Sequence, residues 1–185
     1  MINNYYYNKY LKYKIKYNQL GGFNFGEIKT EYMNIKNFVK IMTNNKYKQK
    51  DQFEEILNDH RKGINATILN IIDEYFESKK HNPNSETNII YLIYDNKIIA
   101  IGRIIYHSEG YINMINIAKS LRGNKICNFL IEKIVNLTKK YHNINKFLLH
   151  VKKDNIPAIK CYEHNGFKIS GSDDKFYEYI MNLEI

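Results

Sequence analysis

Two stretches of this 185-residue chain carry residue types whose spacing suits chemistry. The first is INIAKSLRGNKICNFLIEKI, residues 115 to 134. A strand ends near Ala118, a polar turn with Arg122, Gly123, Asn124 and Lys125 follows, and an amphipathic helix then opens through Ile126, Cys127 and Asn128. The N–H groups of a helix's first turn have no intrahelical acceptors and the macrodipole adds positive charge there, so such a turn suits a pyrophosphate. By itself it also fits an ordinary connection. The second stretch is DNIPAIKCYEHNGF, residues 154 to 167. Asn155 can start a helix, Ala158 keeps one face small, Tyr162 places a phenol one turn before the end, and Gly166 followed by Phe167 stops it. Taken alone, a tyrosine there reads as packing. Together the two stretches are far more specific than either.

The elements that must position these groups follow from periodicity. Residues 23 to 32 fit an extended first strand, and Ile35 to Met42 a short helix. From Phe53, the series Ile56, Leu57, His60, Ile64, Ile68, Ile71, Ile72 and Tyr75 keeps one helical face that Gly63 interrupts. The polar run from 79 to 88 reads as a surface loop. The period then falls from 3.6 to 2. Residues 89 to 94 and 98 to 106 predict a hairpin, and 111 to 118 another strand after the His107–Gly110 turn. A helix is predicted over 124 to 141 with Ile126, Phe129, Leu130, Ile134, Leu137 and Tyr141 inward. A strand at 146 to 151, a helix at 156 to 165 and a closing hairpin from 167 to 183 around Gly171–Asp174 complete an α+β, or mixed α/β, sheet. Residues 1 to 22 form a Tyr/Lys-rich appendage: Tyr6, Tyr10, Tyr13, Tyr17 and Leu20 make a helical stripe, though Tyr13, Ile15 and Tyr17 also alternate as a strand would. The main domain is 23 to 185.

With these residues assembled, the chain resembles the GNAT superfamily of acetyl-CoA-dependent N-acetyltransferases from about Ile89 to Ile185. The resemblance extends more loosely through 35 to 78. In that family the segment matching Arg122 to Cys127 is the Q/R-x-x-G-x-G/A pyrophosphate loop. This sequence keeps Arg122 and Gly123, but has Lys125 where the central glycine is usual and Cys127 where glycine or alanine is usual. The second motif, NxxAxxxYxxxGF, is complete as Asn155, Ala158, Tyr162, Gly166 and Phe167. The resemblance implies a mixed central sheet splayed between the strands at 111 to 118 and 146 to 151 and flanked by helices. It implies acetyl-CoA as cosubstrate, no metal, and main-chain groups of Ile115, Asn116 and Ile117 for pantetheine and the thioester carbonyl. It also implies that Asn155 holds the cofactor at the splay, and that Tyr162 protonates the departing thiolate after direct attack by an amine. Lys119 and Lys160 are within reach of the cofactor phosphates or are solvated surface.

An ammonium of lysine type, pKa ~10.4, must lose a proton before it attacks. Where many relatives carry a glutamate on the strand, this chain has Tyr111, Asn113 and Asn116, which leaves Glu109, His107, Tyr111 or a water chain as candidates for the base. GYINMINIAKSLRGNK sits in register with the glucosamine 6-phosphate N-acetyltransferases, although their Glu-Asp pair is replaced by Asn113 and Met114. That similarity makes an amino-sugar phosphate the favoured acceptor, with Arg103 either an acceptor-pocket charge or a solvent-facing strand residue. A protein acetyltransferase and an inactive acyl-CoA-binding adaptor are the rival readings. A homodimer through a sheet edge or an exchanged C-terminal hairpin fits the resemblance.

Composition bounds the rest. Apolar residues at 44% and charged residues at 25% match globular averages, which excludes a disordered chain. Asn, Ile, Lys and Tyr supply more than half the chain, a bias of AT-rich coding as in large DNA viruses and some protists, and only three arginines remain. The net charge of +9 suits an anionic partner, but Lys9, Lys12, Lys14 and Lys16 concentrate much of it in the appendage, so nucleic acid is disfavoured. No apolar run reaches a membrane span and no signal-peptide core opens the chain, which reads as cytoplasmic. Cys127 and Cys161 are too few for a disulfide framework, and two free, reduced thiols in a reducing compartment are expected.

Overall fold

The computed structural model describes residues 24–44, 46–58, 71, 73–74, 76–77, 80 and 83–185. The stripe within residues 1 to 22, the Gly63 interruption, and His60, Ile64, Ile68, Ile72 and Tyr75 lie outside these. After a 3-10 turn at Phe25–Glu27, the described elements begin with β1 (Lys29–Asn34), α1 (Ile35–Thr43) and α2 (Lys48–Asn58). The hairpin β2 (Glu86–Tyr94) and β3 (Lys97–Tyr106) follows, then β4 (Gly110–Ile117) and a 3-10 turn at Lys119–Leu121. The chain closes with α3 (Ile126–His142), β5 (Lys146–Lys152), α4 (Ile156–His164), β6 (Lys168–Asp173) and β7 (Glu178–Glu184). The described positions between 71 and 80 are helical.

Local chemistry sets these boundaries. Asn34 caps α1 by accepting from the Asn37 N–H at 2.9 Å. α3 ends at Asn143, whose left-handed φ of 54° lets its N–H reach the Lys139 carbonyl. The expected first strand is shorter and later than 23 to 32, because Asn24 caps the 3-10 turn through the Gly26 N–H. β2 starts at Glu86, inside the expected loop, since Thr87 and Asn88 are buried and pair with Ile105 and Ile104. The closing hairpin turns at 174–177, not at Gly171–Asp174: Asp173 Oδ1 accepts from the Phe176 N–H, while Gly171 lies in β6 at an irregular register.

The strands form a seven-stranded sheet of order β1-β2-β3-β4-β5-β7-β6 among the described residues, with β4 and β5 parallel and the other pairs antiparallel. Its two faces are covered by different helices. On one side Ile90, Leu92, Ile104, Ile112, Phe147, Leu149 and Met181 pack beneath α3 and α4. On the other, Ile89, Tyr91 and Ile101 pack against Phe38 of α1 and Phe53 and Leu57 of α2. Along α3, Ile126, Leu130 and Ile134 face inward as expected, with Phe129 and Leu137 partly buried. Tyr141 does not. It is 56% exposed and stacks on Tyr32 of the edge strand β1, since the last turn of α3 reaches past the core.

The site depends on one irregularity. β3 and β4 pair Ile101 with Asn116 and Arg103 with Asn113, so one residue of β3, Gly102, faces two of β4, Met114 and Ile115. Met114 takes a left-handed φ of 53° to make this bulge. Gly102 accommodates it: a Cβ there would stand 2.7 Å from Ile115 Cδ1 and 2.6 Å from Ile134 Cδ1. Bulges bend and twist a strand, and β4 parts from β5 here: their pairing stops at Ile112 opposite Leu149. Phe147, fully buried, pairs with Gly110 where the two strands are still joined, at the end of the paired stretch away from the gap. Phe147→Ala is expected to destabilise the fold by about 3–5 kcal/mol through the lost burial and the cavity left behind, measured as a lowered urea midpoint at unchanged m-value.

Candidate active site

Beyond the last β4–β5 pair, Ile115 and Ile117 of β4, the loop from Leu121 to Lys125, the first turn of α3 and the outer face of α4 enclose a cleft of about 530 Å³. Of the residues expected there, Ile115, Ile117, Arg122, Gly123, Lys125, Ile126, Cys127, Asn128, Asn155, Ala158 and Tyr162 line it. The side chains of Asn116 and Asn124 serve the backbone instead. Asn116 donates to the Met114 carbonyl at 3.1 Å, bracing the bulge, and Asn124 donates to the Leu121 carbonyl at 3.2 Å, bracing the loop. Of the two further lysines, Lys160 lines the cleft and Lys119 lines an adjoining recess. His164, one turn after Lys160 on α4, also lines the cleft; that spacing was the only sequence signal for it.

The loop is built for an anion. Gly123 has φ +84° and Lys125, the N-cap of α3, has φ 60°. The lysine at the usual glycine position therefore adopts the left-handed backbone that glycine favours, at a cost of about 1–3 kcal/mol. No side chain caps α3, and the first helical bond begins at Phe129 N–H to the Lys125 carbonyl, 3.2 Å. The N–H groups of Ile126, Cys127 and Asn128 are thus left for a ligand at the positive end of a 17-residue helix. Arg122, Lys125 and Lys160 line the cleft, and among the described residues no carboxylate does. Arg122 also donates through Nε to the Ile117 carbonyl at 3.2 Å, tying the loop to the end of β4.

α4 supplies the opposite wall. Asn155 caps it, its Oδ1 accepting from the Ala158 N–H at 3.3 Å. Tyr162 sits one turn before the helix end, 7% exposed, its ring packed against Phe167. Burial alone pushes its phenol up to about 12. The group therefore stays protonated across the ordinary working range.

The expectation of free thiols is overturned. Cys127 in the first turn of α3 and Cys161 beside Tyr162 form a disulfide across the cleft, with Cα atoms 6.2 Å apart. Their separation of 34 residues carries no pairing signature; the approach of α3 to α4 makes it, and the inference of a reducing compartment loses its support. Of the two alternatives offered for Arg103, the solvent-facing one is overturned, and its buried Nη1 has no hydrogen-bond partner among the described residues. The residue is 3% exposed on β3, ion-paired with Glu74 and donating through Nε to Asn113 Oδ1 at 2.7 Å. A strand position flanked by apolar residues tolerates it because the sheet face at Asn113 is polar and Glu74 reaches over it.

On that sheet face, opposite α3 and α4, the gap between β4 and β5 opens beside Tyr111, Asn113 and His150. His107 and Glu109 are exposed in the turn before β4, at the end where the two strands are still paired. Among the described residues no group of three His, Cys, Asp or Glu side chains is placed to hold a metal, and no helix is long and apolar enough to cross a membrane.

Comparison with known proteins agrees with this geometry. The model of the acetyltransferase (GNAT) family matches residues 51–167. Among solved structures, the Campylobacter jejuni N-acetyltransferase PseH in complex with acetyl coenzyme A is similar at a TM-score of 0.56 and 16% identity, over 84% of this chain and 99% of that one. The PaiA N-acetyltransferase of Thermoplasma acidophilum in complex with coenzyme A gives 0.54 at 15% identity, over 85% and 99%. The dodecameric spermidine N-acetyltransferase of Vibrio cholerae gives 0.55 at 16%, over 86% and 94%. No protein of curated function matches the chain in sequence.

The disulfide makes its own prediction. Closing a 34-residue separation stabilises by about 3–4 kcal/mol in the chain-entropy limit, so reduction with dithiothreitol should lower Tm by several degrees. A Cys161→Ser variant should have that lower Tm without reductant and no longer respond to it. An unchanged Tm on reduction, with two thiols alkylated only after reductant, would contradict a stabilising role for the bond.

Proposed function

The chain belongs to the acetyltransferase (GNAT) family, and from that premise we propose that it moves the acetyl group of acetyl-CoA to a primary amine by direct attack. The single observation that carries this reading is the cationic cleft, lined by no carboxylate among the described residues, with unpaired helix N–H groups at one end and the buried Tyr162 on its wall. The residues fit the cosubstrate. Ile126 to Asn128 and Lys125 would hold the pyrophosphate, with Arg122 and Lys160 adding charge. The β4 backbone around Ile115 to Ile117, freed from β5 by the gap, would pair with pantetheine and polarise the thioester carbonyl. The thioester supplies an activated acetyl group when bound; the chain's own residues orient it, exclude water and return a proton to sulfur.

Tyr162 is the proton donor to the departing thiolate. A phenol held near 12 is a weak acid in water, but the burial that raises it also raises the thiolate it faces, and the match between the two governs transfer. The amine enters from the opposite face of the sheet, where Asn113 stands at the opening. An amino-sugar phosphate such as glucosamine 6-phosphate is the proposed acceptor. The register of GYINMINIAKSLRGNK supports it. On this face of the sheet Arg103, held by Glu74 and Asn113, keeps a buried Nη1 without a hydrogen-bond partner among the described residues.

Release of free CoA from acetyl-CoA, measured against glucosamine 6-phosphate, other amino sugars, spermidine and basic and acidic peptides, tests the reading; binding without turnover on any of them would favour an inactive adaptor. Acetyl-CoA at 100 times its Kd should stabilise the protein by about 2.7 kcal/mol in thermal melts. Tyr162→Phe should lower kcat by about 10²-fold or more while keeping that thermal shift. Because Tyr162 stays protonated to about 12, it should impose no alkaline fall in kcat below pH ~10. Unchanged turnover in Tyr162→Phe would remove the proton-donor role.

A further inference from the structure

The strand that faces the gap from the β5 side carries a pair of groups not yet given a role. Phe147, Leu149 and Val151 of β5 enter the core beneath α3 and α4, so Leu148, His150 and Lys152 face the other way, toward the side from which the acceptor comes. His150 is the first residue beyond the last β4–β5 pair, Ile112 with Leu149. Its ring meets the ring of Tyr111 edge-on at 5.7 Å, and its side chain is 31% exposed. From β7, Glu178 sets Oε2 3.5 Å from His150 Nδ1 and Oε1 3.2 Å from Lys152 Nζ. The Lys152 ammonium also donates to the Phe176 carbonyl at 2.5 Å, which fixes the lysine and with it the carboxylate.

We propose that His150, oriented by Glu178, is the general base that takes the proton of the acceptor's ammonium. The assignment rests on the acetyltransferase reading. A carboxylate beside Nδ1 keeps the hydrogen on that nitrogen and leaves the Nε2 lone pair free to accept. His150 Nε2 takes one proton from R–NH₃⁺ and, being partly exposed, passes it to solvent. The free amine forms the C–N bond from the open side of the gap as the C–S bond breaks. The thiolate receives the phenolic proton of Tyr162, and the second proton shed by the nitrogen restores the phenol through solvent. One acetyl group is transferred and one proton is released in all. Glu178 touches neither substrate nor cofactor and is a positioning residue.

The other charged and titratable groups on this face are compatible with the role. Arg103 of β3 is neutralised by Glu74, and Lys152 by Glu178. Burial, with Glu178 next in effect, raises the phenol of Tyr111, which therefore presents an uncharged edge to the imidazole. Asn113, the neighbour of the gap on β4, has its oxygen committed to Arg103 and cannot itself act as a base.

The test is CoA release by wild type and by His150→Gln with glucosamine 6-phosphate, spermidine and a lysine peptide as amines, from pH 6 to 10, beside acetyl-CoA thermal shifts. His150→Gln is expected to keep the thermal shift and lose about 10²-fold in kcat/KM at pH 7. The deficit should shrink as rising pH deprotonates the amine in solution. Glu178→Gln should show the same pH-dependent deficit at smaller size, and it carries the test alone should His150→Gln not fold. A wild type that turns over an amine, matched within twofold by the variants at every pH, overturns the assignment. A wild type that turns over none of the amines overturns the acetyltransferase reading itself, a distinguishable result.

Discussion

A single extra residue in β4 organises this molecule. Two parallel strands of equal twist would pair to their ends, and a sheet paired throughout has no room for a ligand between its strands. By setting Met114 and Ile115 against Gly102, the bulge bends β4 out of register and leaves its inner edge without a partner beyond Ile112. The cleft beneath α3 and α4, the opening toward Asn113 and His150 on the far face, and the exposure of β4's main chain between them all follow from that interruption. Its cost is local: a non-glycine residue at positive φ and a side chain absent at 102.

Around the gap, charge is segregated by face. The α3–α4 side is cationic, with Arg122, Lys125 and Lys160 beside a helix N-terminus. The opposite side carries Glu74 and Glu178, each balanced by a cation of the sheet, Arg103 and Lys152. One side of the gap is therefore cationic, while on the other the named charges cancel in pairs.

Much of this was legible in the sequence because it rests on local rules. The change of period near residue 89, the Asn155 cap, the stop at Gly166 and the spacing of α3 fix element types, and the motif from Asn155 to Phe167 located Tyr162. What stayed hidden depends on contacts between distant segments. Nothing in His150 or Glu178, 28 residues apart, announces that β5 and β7 are neighbours. The Cys127–Cys161 pairing is likewise a product of helix docking, and Arg103 could be placed only once Glu74 was seen above it. The bulge left no mark either, since Asn113-Met114-Ile115 alternates no worse than its surroundings.

The cystine between α3 and α4 bears on the order of chemical events. Acyl transfer through a sulfur nucleophile would park the acetyl group on the protein, release CoA first and admit the amine afterwards. Both cysteines at this cleft are spent on each other, so that two-stage route has no thiol to use there. For the acetyl transfer proposed above, that leaves direct attack on the thioester as the route that needs no cysteine of this cleft as carrier.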